Sequence, residues 1–420
     1  MPDFLLQLGH APELSYAEIS AVQERLKTFT SLEFAEDVVL AQADSVEQAV
    51  TLVQELGGVI RLAEILSRQE MHFSNPALAE TLTHWFVESG VPQRLREQSK
   101  RPMFGMSLIG AIDSLRHKKM VQQDLQTSAQ NIKNLLREED VSSRFILPFD
   151  KGELQLNAAQ VDKNQLLSKG GEIVLHWSPN QTATLALTRW IQEYEEFSYR
   201  DYGRPQRDPR SGMLPPKLSR MLINLARTPD TQTLLDPFCG SGSLLMEAAL
   251  LGLKATGVDS SKKAIEDTHA NWKWVQTHLK NLTGTVKVFK GDARQLHKQC
   301  QPLYFDACVT EPFLGPPLKK PLNRDQFRKL SQELSELYLR ALGEIRTVVK
   351  PGARVVFIVP RFRVEGVEEH ASLNILPYLK LQGYKILDPL DRFVETQRRA
   401  TVIYSRPKQW VQREIFVLQA

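Results

Sequence analysis

Asp236-Pro237-Phe238-Cys239-Gly240-Ser241-Gly242-Ser243 is the stretch on which the reading of this chain turns. An apolar run, Thr233–Phe238, leads into it, and a helical run, Leu244–Leu251, leads out. In a strand, glycine turn and helix of this kind the backbone bends tightly, approaches a ligand closely and presents the N–H groups of a helix start. Outward from the turn, strand and helix patterns alternate, which predicts an α/β, doubly wound, Rossmann-like parallel sheet. Its expected strands are Thr233–Phe238, Ala255–Asp259, Val286–Gly291, Phe305–Thr310 and Arg354–Val359. Lys385–Leu387 and Ala400–Ser405 are expected to close the sheet edge as an antiparallel hairpin.

Which ligand the turn suits follows from its spacing. A dinucleotide fingerprint wants a third glycine at position 245, where this chain has Leu245. The alternative ligand of such a turn is S-adenosylmethionine, whose amino acid end can meet a carboxylate such as Asp236, with Phe238, Gly240 and Gly242 shaping the loop. Asp259 ends the second strand, where a carboxylate can accept both ribose hydroxyls, and Asp292, with Ala293 after it, follows the third, within reach of an adenine amino group. Taken singly, either acid also reads as a strand-end turn residue. Glycine turns with two acids at carboxyl ends of strands are harder to dismiss, because open α/β sheets bind their ligands at that edge.

After the fourth strand comes Val309-Thr310-Glu311-Pro312-Phe313-Leu314-Gly315-Pro316-Pro317. An exocyclic amine is a poor nucleophile because its lone pair is delocalised into the base. A carboxylate and a backbone carbonyl that accept its two N–H bonds localise that pair, while an aromatic ring holds the base flat once it has left its stack. Glu311 is the candidate acceptor, Pro312 the neighbouring backbone and Phe313 the candidate platform. A proline-rich turn that caps a strand is the plainer reading, and Glu311 as an inert carboxylate in a silent cofactor pocket is another.

With 420 residues the chain is expected to hold two or three domains. The three cysteines form no CxxC pair and the nine histidines show no HxH or HExxH spacing, so neither a disulfide framework nor a resident metal site is expected. The start, MPDFLLQLGH, reads as a first strand rather than a signal peptide, and no run approaches the roughly 18 apolar residues of a membrane span. A cytoplasmic protein is therefore expected.

Upstream, residues 1–70 read as a small mixed domain, with a strand at Phe4–Leu8 and a capping box of Ser15 and Glu18 ahead of a helix carrying Ile19, Val22 and Leu26. Alternation at Val38–Ala41 and Gly58–Ala63 continues it. Residues 71–190 read as a second α/β region, with helices near Pro76–Glu88 and Val121–Leu136 and strands near Phe104–Ile109, Arg144–Pro148 and Ile173–Trp177. The turn-rich residues 191–212 are expected to link it to the catalytic domain, 213–420.

On these residues the chain resembles the THUMP-containing tRNA guanine-N2 methyltransferases of archaea and eukaryotes. The most specific segment is Arg200-Asp201-Tyr202-Gly203-Arg204-Pro205 leading to Gly212-Met213-Leu214-Pro215-Pro216-Lys217-Leu218. It resembles the family's approach to its catalytic domain, and the resemblance implies that the helix opened by Pro215 and Lys217 lies against the cofactor. Asp236–Ser243 is similar to the family's cofactor loop, and Val309–Gly315 to its Asp-Pro-Pro-Tyr-Gly loop. Glu311, Phe313 and Leu314 depart from that loop, lengthening the carboxylate arm and moving the aromatic ring by one residue. Ser142-Ser143-Arg144-Phe145 and Asn157–Asn164 resemble THUMP segments, and Leu8–Ile19 a ferredoxin-like N-terminal domain. The activity implied is methyl transfer from S-adenosylmethionine to the N2 amine of a guanosine in tRNA. A closing antiparallel hairpin suits a methyltransferase sheet better than a dehydrogenase one.

Six basic residues (Arg204, Arg207, Arg210, Lys217, Arg220, Arg227) precede the glycine turn, and Lys319, Lys320, Arg324, Arg328 and Lys329 follow the Glu311 loop. Both clusters suit an RNA backbone led toward a pocket, as do Arg144 and Lys163 in the THUMP-like region; a solvated charged surface is the plainer reading. No membrane partner is expected, and the sequence specifies neither an oligomeric state nor an activating subunit. The rival readings are a DNA or protein amino-methyltransferase and a catalytically silent RNA-binding protein.

Overall fold

The computed structural model describes residues 1–72, 77–110, 115–148, 153–207, 213–279, 282–390, 400–406 and 409–420. Pro76, Arg210 and Gly212, named above, lie outside the described residues. The chain divides into two compact units, one of residues 1–9, 28–54 and 59–194, the other of residues 10–27, 55–58 and 195–420.

The first unit is built on one sheet. Its strands are β1 (Asp3–Leu8), β2 (Phe29–Ala35), β3 (Val38–Ala43), β4 (Val59–Glu70), β5 (Met103–Ile109), β6 (Arg144–Ile146), β7 (Gly170–Trp177) and β8 (Thr182–Ile191). They run in the order β2-β3-β1-β4-β8-β7-β5-β6. β4 pairs antiparallel with both β1 and β8, so residue 70 is not a break in this sheet. Helices Leu78–Glu88, Val91–Gln98 and Leu115–Glu138 bury Trp85, Phe86, Leu95, Leu125 and Ile132 against Phe104, Leu175 and Leu185. Inside the sheet Glu172, fully buried, accepts from the hydroxyls of Ser107 (2.5 Å) and Thr188 (2.7 Å) and pairs with Arg61 (2.8 Å). Arg61 also donates to Gln7 (2.6 Å) and the Leu156 carbonyl (2.9 Å). Two opposite charges thus lie in the interior with most of their hydrogen-bonding groups satisfied.

The second unit carries the sheet expected from the glycine turn. Its strands are β9 (Thr233–Asp236), β10 (Lys254–Asp259), β11 (Thr285–Lys290), β12 (Phe305–Thr310), β13 (Val349–Phe362), β14 (Ala371–Ser372), β15 (Lys385–Leu387), β16 (Val402–Tyr404) and β17 (Val411–Gln419). The main path runs β11-β10-β9-β12-β13-β17-β15. β9 to β13 pair in parallel, as their alternation with helices predicts. The closing strands differ from expectation. β15 and β16 do not form a hairpin with each other; both pair antiparallel with β17, which itself lies along β13. A strand inserted between two others is fixed by long-range pairing, to which local alternation is blind.

Two local expectations also change. Pro12 occupies the first turn of helix Pro12–Leu26, so the helix starts ahead of Ser15 and no capping box forms. Ser15 donates instead to the carbonyls of Ala11 (3.0 Å) and Gly58 (3.1 Å). Glu18 is buried and accepts from the N–H groups of Gly57 and Gly58 (2.8 Å each) and from Asn224 (2.8 Å). The helix packs Leu14, Ala17 and Ala21 against Leu222, Ile223 and Leu225 of helix Pro216–Ala226. The stretch expected as a linker opens with a helix, Tyr194–Tyr202.

Candidate active site

Three parallel strands deliver the site. β9 ends at Asp236, β10 at Asp259 and β12 at Thr310, so the loops that follow them meet at one edge of the sheet. The glycines of the first loop are there for conformational reasons. Gly240 has φ +53° and Gly242 φ +85°, left-handed values that favour glycine. A Cβ on Gly242 would meet the Thr268 methyl at 2.7 Å, whereas one on Gly240 would project into open space. Gly240 therefore leaves room at the wall of a cavity of about 440 Å³.

That cavity brings together Asp236, Phe238, Gly240, Asp259, Asp292, Ala293, Glu311, Pro312 and Phe313, with Met213, Leu214, Leu314 and Leu337 among the other residues of its wall. Asp236 is buried and accepts from the Thr310 hydroxyl (2.7 Å) and the Phe238 N–H (3.1 Å). Burial pushes its carboxyl up to about 7, against those two donors, and the neighbouring charges of Asp259 and Glu311 push the same way. Asp259 accepts the Gly240 N–H (3.0 Å) on one oxygen and the Ser261 N–H (2.8 Å) on the other, which leaves lone pairs on both. Asp292 is engaged differently. Arg294 donates its backbone N–H (2.9 Å) and its guanidinium (2.7 Å from Nη2), and holds the carboxyl below the usual carboxylate range.

Glu311 faces the same cavity with 13% of its side chain exposed. Arg413 of β17 grips it, Nε donating to Oε1 (2.5 Å) and Nη2 to Oε2 (3.3 Å). Burial raises the Glu311 carboxyl, and Arg413 pulls it back. Phe313 is 58% exposed, and its carbonyl accepts from the buried Tyr338 hydroxyl (2.7 Å), which ties the loop to helix Arg324–Val348. Arg413, Tyr338 and Thr310 were not anticipated. Thr310 is legible as the last residue of a strand beside an acid; the other two lie far away in sequence and give no local signal.

The remaining expected residues lie off the cavity wall. Gly242 caps helix Ser243–Leu250, and Pro215 and Lys217 sit at the start of helix Pro216–Ala226. Lys217 lies over the Phe197 ring (5.4 Å) and its pKa is lowered by burial. The first basic cluster is a correction. Arg204 is buried and donates to Ser243 and to the Met213 sulfur (3.3 Å), Arg220 pairs with Glu247 (2.9 Å), and Arg227 pairs with Glu55 (3.0 Å). These guanidinium groups are taken up by partners inside the protein. Arg207 stays exposed, stacked on Tyr202 (4.8 Å), as do Lys319, Lys320, Arg324, Arg328 and Lys329 near the Glu311 loop. Arg144 and Lys163 are exposed on the first unit. Among the described residues no group of three or more His, Cys, Asp or Glu could hold a metal ion, and no helix is long and apolar enough to cross a membrane.

Residues 204–363, which carry this whole constellation except Arg413, match the family described as the RMKL-like methyltransferase domain. That profile is of a methyltransferase domain and covers under half of this chain. A second profile, described as a DNA methylase, matches residues 111–270. The chain is 33% identical over 144 residues to the tRNA (guanine(10)-N2)-dimethyltransferase of Pyrococcus abyssi, covering 34% of this chain and 38% of that one. It is 24% identical over 272 residues to the tRNA (guanine(10)-N(2))-methyltransferase TRMT11 of Xenopus laevis, covering 58% and 55%. The chain thus spans well under two thirds of the length of these relatives. Among solved structures, TrmN from Thermus thermophilus superimposes with a TM-score of 0.57 at 16% identity, over 99% of both chains. SMU.472, solved in complex with SAH, gives 0.51 at 12% identity, over 99% of this chain and 98% of that one. At these identities the likeness is one of fold.

Proposed function

We propose that this chain transfers a methyl group from S-adenosylmethionine to the exocyclic N2 amine of a guanosine in tRNA. The observation that carries the reading is that Glu311 and Phe313 share one cavity with Asp236, the Gly240 turn and Asp259. The residues fit the cofactor. Gly240 keeps the wall open, Asp236 is a buried acid aimed at that space, and Asp259 has lone pairs left for two hydroxyls. Asp292 is committed to Arg294, so the adenine contact falls mainly to the backbone of Ala293. S-adenosylmethionine held there by Asp236, Asp259 and the backbone at Gly240 and Ala293 would supply an electrophilic methyl on a positively charged sulfur, which would take the C–S electron pair as the methyl is handed to nitrogen.

This chain's own residues prepare the amine. Glu311 accepts one of its N–H bonds and the backbone at Pro312 the other, which turns the lone pair toward the methyl. Phe313, exposed at the mouth, stacks on the base. The carboxylate also stabilises the positive charge that grows on nitrogen, until a proton leaves to water. The two similar relatives named for guanosine ten of tRNA support that substrate. The order of β1 to β4 matches a ferredoxin-like domain, and we assign the rest of the first unit, with exposed Arg144 and Lys163, to a THUMP-like grip on the same RNA. We assign Arg207, Lys319 and Lys320, all exposed, to contacts with its backbone.

Labelled cofactor with bulk tRNA or duplex DNA tests the reading. Wild type is expected to label tRNA, and Glu311→Gln to lose about 10²-fold or more of that rate with cofactor affinity kept. Label in DNA alone, or equal rates for the two proteins, would sink it.

A further inference from the structure

We infer that Arg413 is a positioning residue for the acceptor carboxylate: it holds Glu311 ionised and fixes the direction in which the remaining lone pairs face the cavity. The inference rests on the reaction proposed above and goes beyond it, to a residue that lies outside the cavity wall and outside the segment matching the methyltransferase domain.

The geometry makes three points. First, the grip is two-pronged, with Nε on Oε1 and Nη2 on Oε2. A planar guanidinium on both oxygens fixes the plane of a carboxylate, which a single donor cannot do. A carboxylate offers about four lone-pair sites, so roughly two remain for an amine. Second, both side chains are 13% exposed, enough to keep Glu311 open to the cavity while excluding most of the water that would otherwise stabilise its charge. Third, Arg413 comes from a rigid place. β17 pairs with β13, β15 and β16, and Arg413 lies directly opposite Tyr404, itself buried with its hydroxyl 3.3 Å from the His10 ring.

The clamp also gives a reason for a glutamate at this position. Relative to an aspartate, Glu311 has one more rotatable bond between backbone and carboxylate, and so more directions in which to miss an amine. Arg413 removes that freedom. The charged and titratable groups around the pair are Asp236 of β9 and Tyr338 of helix Arg324–Val348 on the Glu311 side, and Tyr404 of β16 on the Arg413 side. His10 backs Tyr404; burial lowers the His10 pKa, and Arg406 and Lys217 push the same way. Of these, Arg413 is the cation bonded to Glu311 among the described residues.

The test uses the full chain and two readouts. One is the pH profile of methyl transfer to bulk tRNA. The other is a carbon-13 titration of the Glu311 carboxyl, its signal assigned with Glu311→Gln. Arg413→Met is expected to lower kcat at neutral pH about tenfold or more, to leave KM for tRNA within about twofold, and to move the acid limb up by about 1–3 pH units. The carboxyl signal is expected to move by the same interval. Arg413→Lys restores most of the limb but only part of kcat, because an ammonium returns the charge without the fork; should Arg413→Met fail to fold, the lysine variant carries both readouts with smaller shifts. A loss of rate equal at every pH, with the Glu311 titration unmoved, overturns the inference. If wild type transfers no methyl to tRNA while the titration still moves, the hold stands and the proposed reaction is what fails.

Discussion

Each unit of this protein buries an arginine against a glutamate, and the two pairs are built for different ends. Arg61 and Glu172 in the first sheet are enclosed: Glu172 has no exposed surface, and its oxygens are taken by Ser107, Thr188 and Arg61. In the second unit Glu311, held by Arg413, faces a cavity, and no second donor to Glu311 is found among the described residues. The first pair satisfies itself. The second leaves acceptor capacity pointing into a space of ligand size. Burial of opposite charges is thus no sign of function by itself, while acceptor capacity left open toward a cavity is one.

The largest expected effect breaks the enclosed pair. Arg61→Met strands a carboxylate in the interior and should cost about 3–5 kcal/mol by denaturant unfolding. Adding Glu172→Met should recover a substantial part, and no recovery would mean that the pair specifies the packing rather than merely neutralising it. Breaking the open pair should cost less. Glu311→Gln keeps a carbonyl acceptor for Arg413, and the side chain at 311 stays open to water in the cavity, so about 1–3 kcal/mol is expected. A loss as large as that of Arg61→Met would erase the contrast. The smallest effect concerns the third buried acid. Asp236 keeps its proton in the folded state up to about 7, whereas an unperturbed aspartate releases it near 3.8, so this group makes the fold less stable as pH rises between those values. Asp236→Asn should equal wild type in stability near pH 4 and exceed it at pH 8. A variant weaker than wild type at both would show that the carboxylate is stabilised there by contacts other than those of Thr310 and Phe238.

The parts of the site that the sequence revealed are those where chain order and space coincide. Asp259 ends its own strand, the glycine turn and Asp292 follow theirs within a few residues, and parallel strands carry such positions to one edge whatever their order. Glu311 was legible for the same reason. Arg413 was not, because it reaches Glu311 only through the insertion of β17 beside β13, a pairing across about fifty residues that no short window reports. The basic cluster before the turn misled in the opposite way. Arg204, Arg220 and Arg227 look like a surface in one dimension, yet Ser243, Glu247 and Glu55 draw them inward. Charge counts along a chain carry no information on which charges have partners. The capping box failed because Pro12 starts the helix one turn early, which hands Ser15 and Glu18 to the backbone of Gly57 and Gly58.

That last contact bears on how such a protein can be rearranged by recombination. Helix Pro12–Leu26 precedes nearly the whole first sheet in the chain, yet its apolar side and Glu18 complete the second unit against Leu222, Ile223 and Asn224. A crossover placed at residue 194, which divides the linear map neatly, would hand the recipient a second unit with an apolar scar where the helix had been. Exchange of the first unit between relatives must therefore be a double event that spares this helix.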